Sequence, residues 1–106
     1  MERGAKFSED ERNRLNFFQS LYEEILRLDE HGYITEGLFN KGVVFPEGEA
    51  LEDRNRGTEV VRESLRSLEE YIDWAETNIV FKLASKELKM KIQTLRDSMK
   101  EWLGSF

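Results

Sequence analysis

Residues 58–103 run for 46 positions without a glycine or proline, between Gly57 and Gly104. A stretch that long with neither chain-breaker is helical, and the placement of its apolar residues limits how it can pack. In its first half Val61, Leu65, Leu68, Ile72, Ala75 and Ile79 follow a 4-3-4-3-4 spacing, which places them on one helix face. Leu88, Ile92, Leu95, Met99, Trp102 and Phe106 repeat the spacing in the second half. Ile72 and Ile92 hold equivalent places in the two stripes, and twenty steps of about 100° rotate one from the other by roughly 200°. One straight helix cannot press both stripes against one neighbour.

Two solutions follow. Either the chain breaks and folds back as a helical hairpin, or one long helix over 58–103 faces one neighbour early and another late. The break is the favoured solution. Ser85 is a good N-cap for a new helix, and Asn78 tolerates the left-handed conformation that ends an old one. Ile79, Val80, Phe81, Leu83 and Ala84 favour the alternative, since they make the junction apolar on all sides. Charge reverses along the stretch. Residues 58–81 carry two arginines against six carboxylates, net −4, and residues 82–106 carry six cations against three carboxylates, net +3. Folded back, or laid antiparallel on a second copy, the acidic half meets the basic half. Exposed pairs contribute only ~0 to 1 kcal/mol each, so this pattern sets orientation more than stability.

Upstream, Ser8 and Glu11 have the spacing of a capping box, and Glu9, Asp10 and Glu11 place negative charge on the positive end of a helix dipole. Leu15, Phe18, Leu21, Tyr22, Ile25 and Leu28 form its apolar stripe, widened by Phe17 and Leu26. This first helix spans 8–31 and ends with Gly32 as its left-handed C-terminal residue. Residues 1–7 show no periodicity and are expected to fray. Residues 32–57 hold five of the seven glycines and the only proline, and read as an irregular connection. It is expected to contain a helical turn after Thr35, an extended Val43–Phe45, and a second turn from Pro46 through Leu51 that Gly57 terminates. The expected fold is therefore all-α: one domain over 1–106, in which helix 8–31 packs coiled-coil-like on an acidic helix 58–77 and a basic-leaning helix 85–103.

A chain this short buries only roughly 60 to 65% of its unfolded surface. Two out-of-frame stripes plus the first helix offer more apolar face than a small domain needs, so a homodimer is expected. The formal charge of −6 argues against a nucleic-acid partner. No cysteine is present, which excludes disulfides and thiolate chemistry and agrees with a cytoplasmic setting. The longest apolar runs are three residues, far short of a membrane span.

Catalytic and ligand signatures are sparse. His31 is the sole histidine, and Leu28 stands where the Glu-x-x-His of a helical di-iron site needs a glutamate. No catalytic residue, metal ligand or cofactor is assigned. Glu49-x-x-Glu52 followed by Glu70-x-x-Asp73 is similar to the carboxylate set of all-helical nucleotide pyrophosphohydrolases of the MazG type. That resemblance implies Mg²⁺-dependent nucleotide hydrolysis. Gly48 stands in place of one of that family's glutamates, however, and Glu70 and Asp73 fall off the face defined by Leu68 and Ile72. Gly32-Tyr33-Ile34, followed by the segment from Val43 through Pro46-Glu47-Gly48 to Leu51, resembles the wing of winged-helix regulators. That resemblance implies a β-hairpin and DNA binding, but only one helix precedes it where a helix-turn-helix needs two or three. The reading that remains is a non-enzymatic, self-associating protein-interaction module with a regulatory or structural role. Its partner-binding residues are expected among apolar groups left outside the stripes: Tyr33, Leu38, Phe39, Val44, Phe45 and the off-stripe Trp74.

Overall fold

A computed structural model describes residues 6–105. Six helices follow in order: α1 (Glu9–Leu28), α2 (Tyr33–Lys41), α3 (Glu49–Glu52), α4 (Arg54–Thr77), α5 (Val80–Leu83) and α6 (Lys86–Gly104). No strand occurs among the described residues, so the wing-like segment forms no β-hairpin.

The long glycine-free stretch breaks where the two stripes lose register. Asn78 ends α4 with φ −118°, extended instead of left-handed as expected, and its side-chain amide donates to the Trp74 carbonyl at 2.6 Å. The Ser85 hydroxyl accepts the Leu88 N–H at 3.1 Å and starts α6. α6 then runs back along α4, as Lys100 Nζ at 3.2 Å from Glu69 Oε2 shows. On its other side α6 lies antiparallel to α1. Lys91 meets Glu24 at one end, 2.8 Å apart, and Trp102 meets Phe7 and Phe18 at the other, with ring centroids 5.8 and 6.0 Å apart.

The central helix therefore closes the core. Leu88, Ile92, Leu95, Met99 and Trp102 of α6 are buried, as are Val61, Leu65, Leu68, Ile72 and Ala75 of α4. Ile79, assigned to the α4 stripe by spacing, is exposed because the helix ends two residues before it. Phe106 lies outside the described residues. Apart from these two, both stripes are covered within one chain.

Several sequence expectations are corrected at the ends of elements. Phe7 is not frayed: it is buried against Trp102. Residues 1–5 lie outside the described set. α1 ends at Leu28, short of His31, because Asp29 turns to the next helix and its carboxylate accepts the Thr35 N–H at 2.8 Å. Gly32 has the expected positive φ, 74°, but introduces α2 instead of closing α1. Gly57 does not terminate a turn. α4 already starts at Arg54, capped by the Asp53 carboxylate, which accepts from Asn55 N and Arg56 N. A Cβ on Gly57 would stand 2.4 Å from the Ala50 carbonyl oxygen and 2.5 Å from the Phe7 ring, so the glycine lets α3 and Phe7 close onto α4.

The connection is more ordered than its glycine content implies. α2 buries Ile34 and Leu38, one turn apart, and packs on α4 at Gly37, where a Cβ would meet the Tyr71 ring at 2.5 Å. Beyond α2 the Ser64 hydroxyl, buried on α4, accepts the Val44 N–H at 3.1 Å and donates to the Val44 carbonyl. That pair of bonds satisfies a non-helical backbone laid across a helix. Glu11 ties the two long helix starts together. Its Oε1 accepts the Ser8 N–H at 2.8 Å, completing the capping box, and its Oε2 takes both Arg54 Nε and Nη2, at 3.0 and 2.8 Å. Burial raises the carboxyl's pKa, and these hydrogen bonds from Ser8 and Arg54 outweigh it, leaving Glu11 below its ordinary value.

Candidate protein-contact surface

The bundle closes along its length and opens at one end. There the corner between α1 and α2 faces the short α5 and the start of α6 across a cleft of about 770 Å³. Leu28, Asp29, His31, Tyr33 and Ile34 form one wall, and Val80, Leu83, Ala84 and Leu88 the other. Both walls follow from local sequence. Asp29 pins the start of α2, leaving Tyr33 exposed, while the single turn of α5, Val80-Phe81-Lys82-Leu83, can turn only part of its apolar surface to the core. α5 buries Phe81 and leaves Leu83 at the rim.

Exposure decides which apolar groups are available. Leu83 is 75% exposed, Tyr33 69% and Ile79 65%, against the near-zero exposure of the core. His31 lies beside Tyr33, with ring centroids 5.9 Å apart. The first wall carries Asp29 and Glu30, and Glu36 follows one turn after Tyr33. The second carries Glu87 and is flanked in sequence by the exposed Lys82 and Lys86. Among the described residues none of Glu30, Glu36, Lys82 and Lys86 forms an ion pair.

The sequence-predicted contact residues divide. Tyr33, Phe39, Val44 and Trp74 are exposed, and only Tyr33 lines the cleft. Leu38 is fully buried beneath α2, and Phe45 is half-buried against Phe18 and Tyr22, so these two belong to the core. Tyr33 and Phe39 stand six residues apart on α2, about 120° away from each other around the helix, so the connection does not offer one continuous anchor patch. Ile79 and Leu83 were missed as candidates. The signal for them is the apolar junction of Ile79, Val80, Phe81, Leu83 and Ala84.

Trp74 leans on the buried Tyr71, with ring centroids 5.8 Å apart, and Tyr71 in turn meets Phe81 edge-on at 6.4 Å. Burial, with the Asp29 charge as a second cause, raises the Tyr71 phenol to about 12, and its hydroxyl has no hydrogen-bond partner among the described residues. The folded chain thus holds this proton at a pH where the unfolded chain, with an ordinary value of 10.0, has released it. Stability is expected to be intact below pH 10 and to fall as pH rises from there towards 12. Tyr71→Phe should remove that alkaline loss, and at neutral pH it should leave stability within ~1 kcal/mol of the parent or above it, because no protein hydrogen bond is sacrificed. Thermal melts of both proteins across the alkaline range check this.

The carboxylates of the nucleotide-hydrolase resemblance are not gathered. Glu70 and Asp73 are exposed on α4, Glu49 pairs with Arg56 at 3.2 Å, and Glu52 pairs with Lys6 at 3.4 Å. No three His, Asp or Glu side chains converge as a metal site among the described residues, and no described helix is long and apolar enough to cross a membrane. Comparison with known protein families, curated proteins and solved structures finds no match.

Proposed function

We propose that this chain is a non-enzymatic protein-interaction module, regulatory or structural in role, that makes contact through the cleft between the α1–α2 corner and α5–α6. The observation that carries this reading is the contrast between a core closed within one chain and a cleft at one end where Tyr33 and Leu83 stay largely exposed. Large apolar side chains gathered at one place on a closed bundle mark a contact surface more often than singly scattered ones do. The carboxylates that line it, Asp29, Glu30 and Glu87, give such a surface an acidic border that favours a basic contact.

The test compares the parent with Tyr33→Ala/Leu83→Ala, a variant whose side chains are exposed and whose melting temperature should be unchanged. Proteins captured by the parent should protect the amides of 28–34 and 80–88 from hydrogen exchange, and the variant should lose both capture and protection. Equal capture by the variant overturns the reading. So does Mg²⁺-dependent turnover of nucleoside triphosphates by the purified chain.

A further inference from the structure

We infer that the cleft takes a short segment of a partner protein in which apolar side chains are flanked by arginine or lysine; this rests on the interaction reading above and names the partner's chemistry. The lining carries the inference. Leu28, Ile34, Val80 and Leu88 make it apolar, while Asp29 and Glu30 on the first wall and Glu87 on the second set three carboxylates against no lysine or arginine. Asp29 accepts the Thr35 N–H, which leaves its carboxylate with further acceptor positions. None of the three forms an ion pair among the described residues. Lys82 and Lys86 neighbour the second wall in sequence but do not line the cleft.

The adjoining depression supplies the contrast. It shares Leu28 and Glu87 with the cleft and is otherwise lined by Glu24, Arg27 and Lys91. There the chain provides its own cations, since Glu24 takes Lys91 at 2.8 Å and Arg27 at 3.9 Å. In the cleft it provides none, and the counter-charge is left to whatever enters. An acidic segment would meet like charge from both walls, and the same cleft of a second copy would set carboxylate against carboxylate. An uncharged segment would cover the apolar lining but take water from the carboxylates without replacing its hydrogen bonds. A cavity of about 770 Å³ lies within the about 300–1,000 Å³ of pockets that enclose a small molecule, so it accommodates a few side chains and not a long helix. Arginine suits it best, because a guanidinium pairs with a carboxylate through two hydrogen bonds and stacks on an exposed ring such as Tyr33.

Fluorescence anisotropy of three labelled peptides on the full chain tests this. Arg-Leu-Ala-Leu-Arg should bind saturably at physiological salt with a Kd below about 1 mM, and Glu-Leu-Ala-Leu-Glu and Arg-Ser-Ala-Ser-Arg should not. Glu30→Lys/Glu87→Lys should weaken the first peptide at least about tenfold and take up the glutamate peptide instead. Glu30→Gln/Glu87→Gln, which removes the charge without reversing it, should weaken the first peptide in the same direction. Glu70→Lys/Asp73→Lys makes the same change in net charge on exposed α4 side chains outside the cleft, and should bind the first peptide as the parent does. All the variants should remain folded, the changes being on the surface. In the parent, the first peptide should shift the amide resonances of 28–34 and 80–88. Absence of saturable binding overturns the inference, as does equal binding of the glutamate or serine peptide, or an equal loss in the cleft and α4 lysine variants. If no peptide binds while another protein protects 28–34 and 80–88 in hydrogen exchange, the basic segment fails and the interaction reading stands.

Discussion

Leu68→Asp is expected to cost the chain a large part of its stability. Leu68 is fully buried in the middle of α4, with the buried Leu65 and Ile72 one turn away on either side. A carboxylate there has no cation within the core to pair with, so it must either stay charged in an apolar surrounding or take up a proton. Either way the penalty adds to the lost leucine packing, for a total of about 4–5 kcal/mol or more. A domain of this size has about 5–15 kcal/mol of stability in all. The control lies two and five residues further on: Glu70→Ala and Asp73→Ala touch exposed side chains with no ion pair among the described residues and should change stability by less than about 0.5 kcal/mol. Circular dichroism melts of the three variants give the comparison. Loss of a biological activity in a well-folded Glu70 or Asp73 variant would restore the metal-dependent hydrolase reading.

Trp102→Ala has the second largest expected cost. Its indole is almost wholly buried near the end of α6, beside Phe7 ahead of α1 and edge-on to Phe18 within it. Truncation removes the transfer free energy of the ring and leaves a cavity that three separate segments would have to move to fill. The expected loss is about 3–5 kcal/mol. Phe7 should also be released, so amides near residue 7 and the first turn of α4, where Gly57 receives the Phe7 ring, should exchange faster than in the parent. The contrast is Phe39→Ala: that ring is exposed, and its removal should change stability by less than about 0.5 kcal/mol.

Periodicity and capping were the legible parts of this fold, because both are local. The Ser8–Glu11 capping box, the Ser85 cap and the out-of-frame stripes of α4 and α6, apart from the exposed Ile79 and from Phe106 outside the described residues, appear as read, and together they favour the hairpin. What stayed hidden depends on residues distant in sequence. Gly57 was read as a stop because glycine is a poor helix former, whereas its place inside α4 is set by the Phe7 ring and the Ala50 carbonyl packed against it. Phe7 looked like part of a tail because its neighbour, Trp102, lies at the far end of the chain. Leu38 was within reach of the sequence, since Ile34 and Leu38 have helical spacing and α2 needed only to start two residues earlier to give them one buried face. Of the proposed contact surface, the sequence pattern points to Tyr33 alone. Leu83 joins it because α5 is a single turn with Phe81 on its buried side.

α4 and α6 fold back on each other, which buries their stripes inside one chain and leaves a cleft at one end. The chain has no cysteine of its own, so Glu69→Cys/Lys100→Cys supplies a single pair of spin-label sites in place of a surface ion pair 3.2 Å across. Pulsed dipolar spectroscopy on that variant should give a narrow distribution within about 20 Å, as neighbouring helices at 8–10 Å axial spacing require. A distribution centred near about 46 Å, the length of 31 residues of continuous helix, would contradict the hairpin and the open-ended bundle built on it.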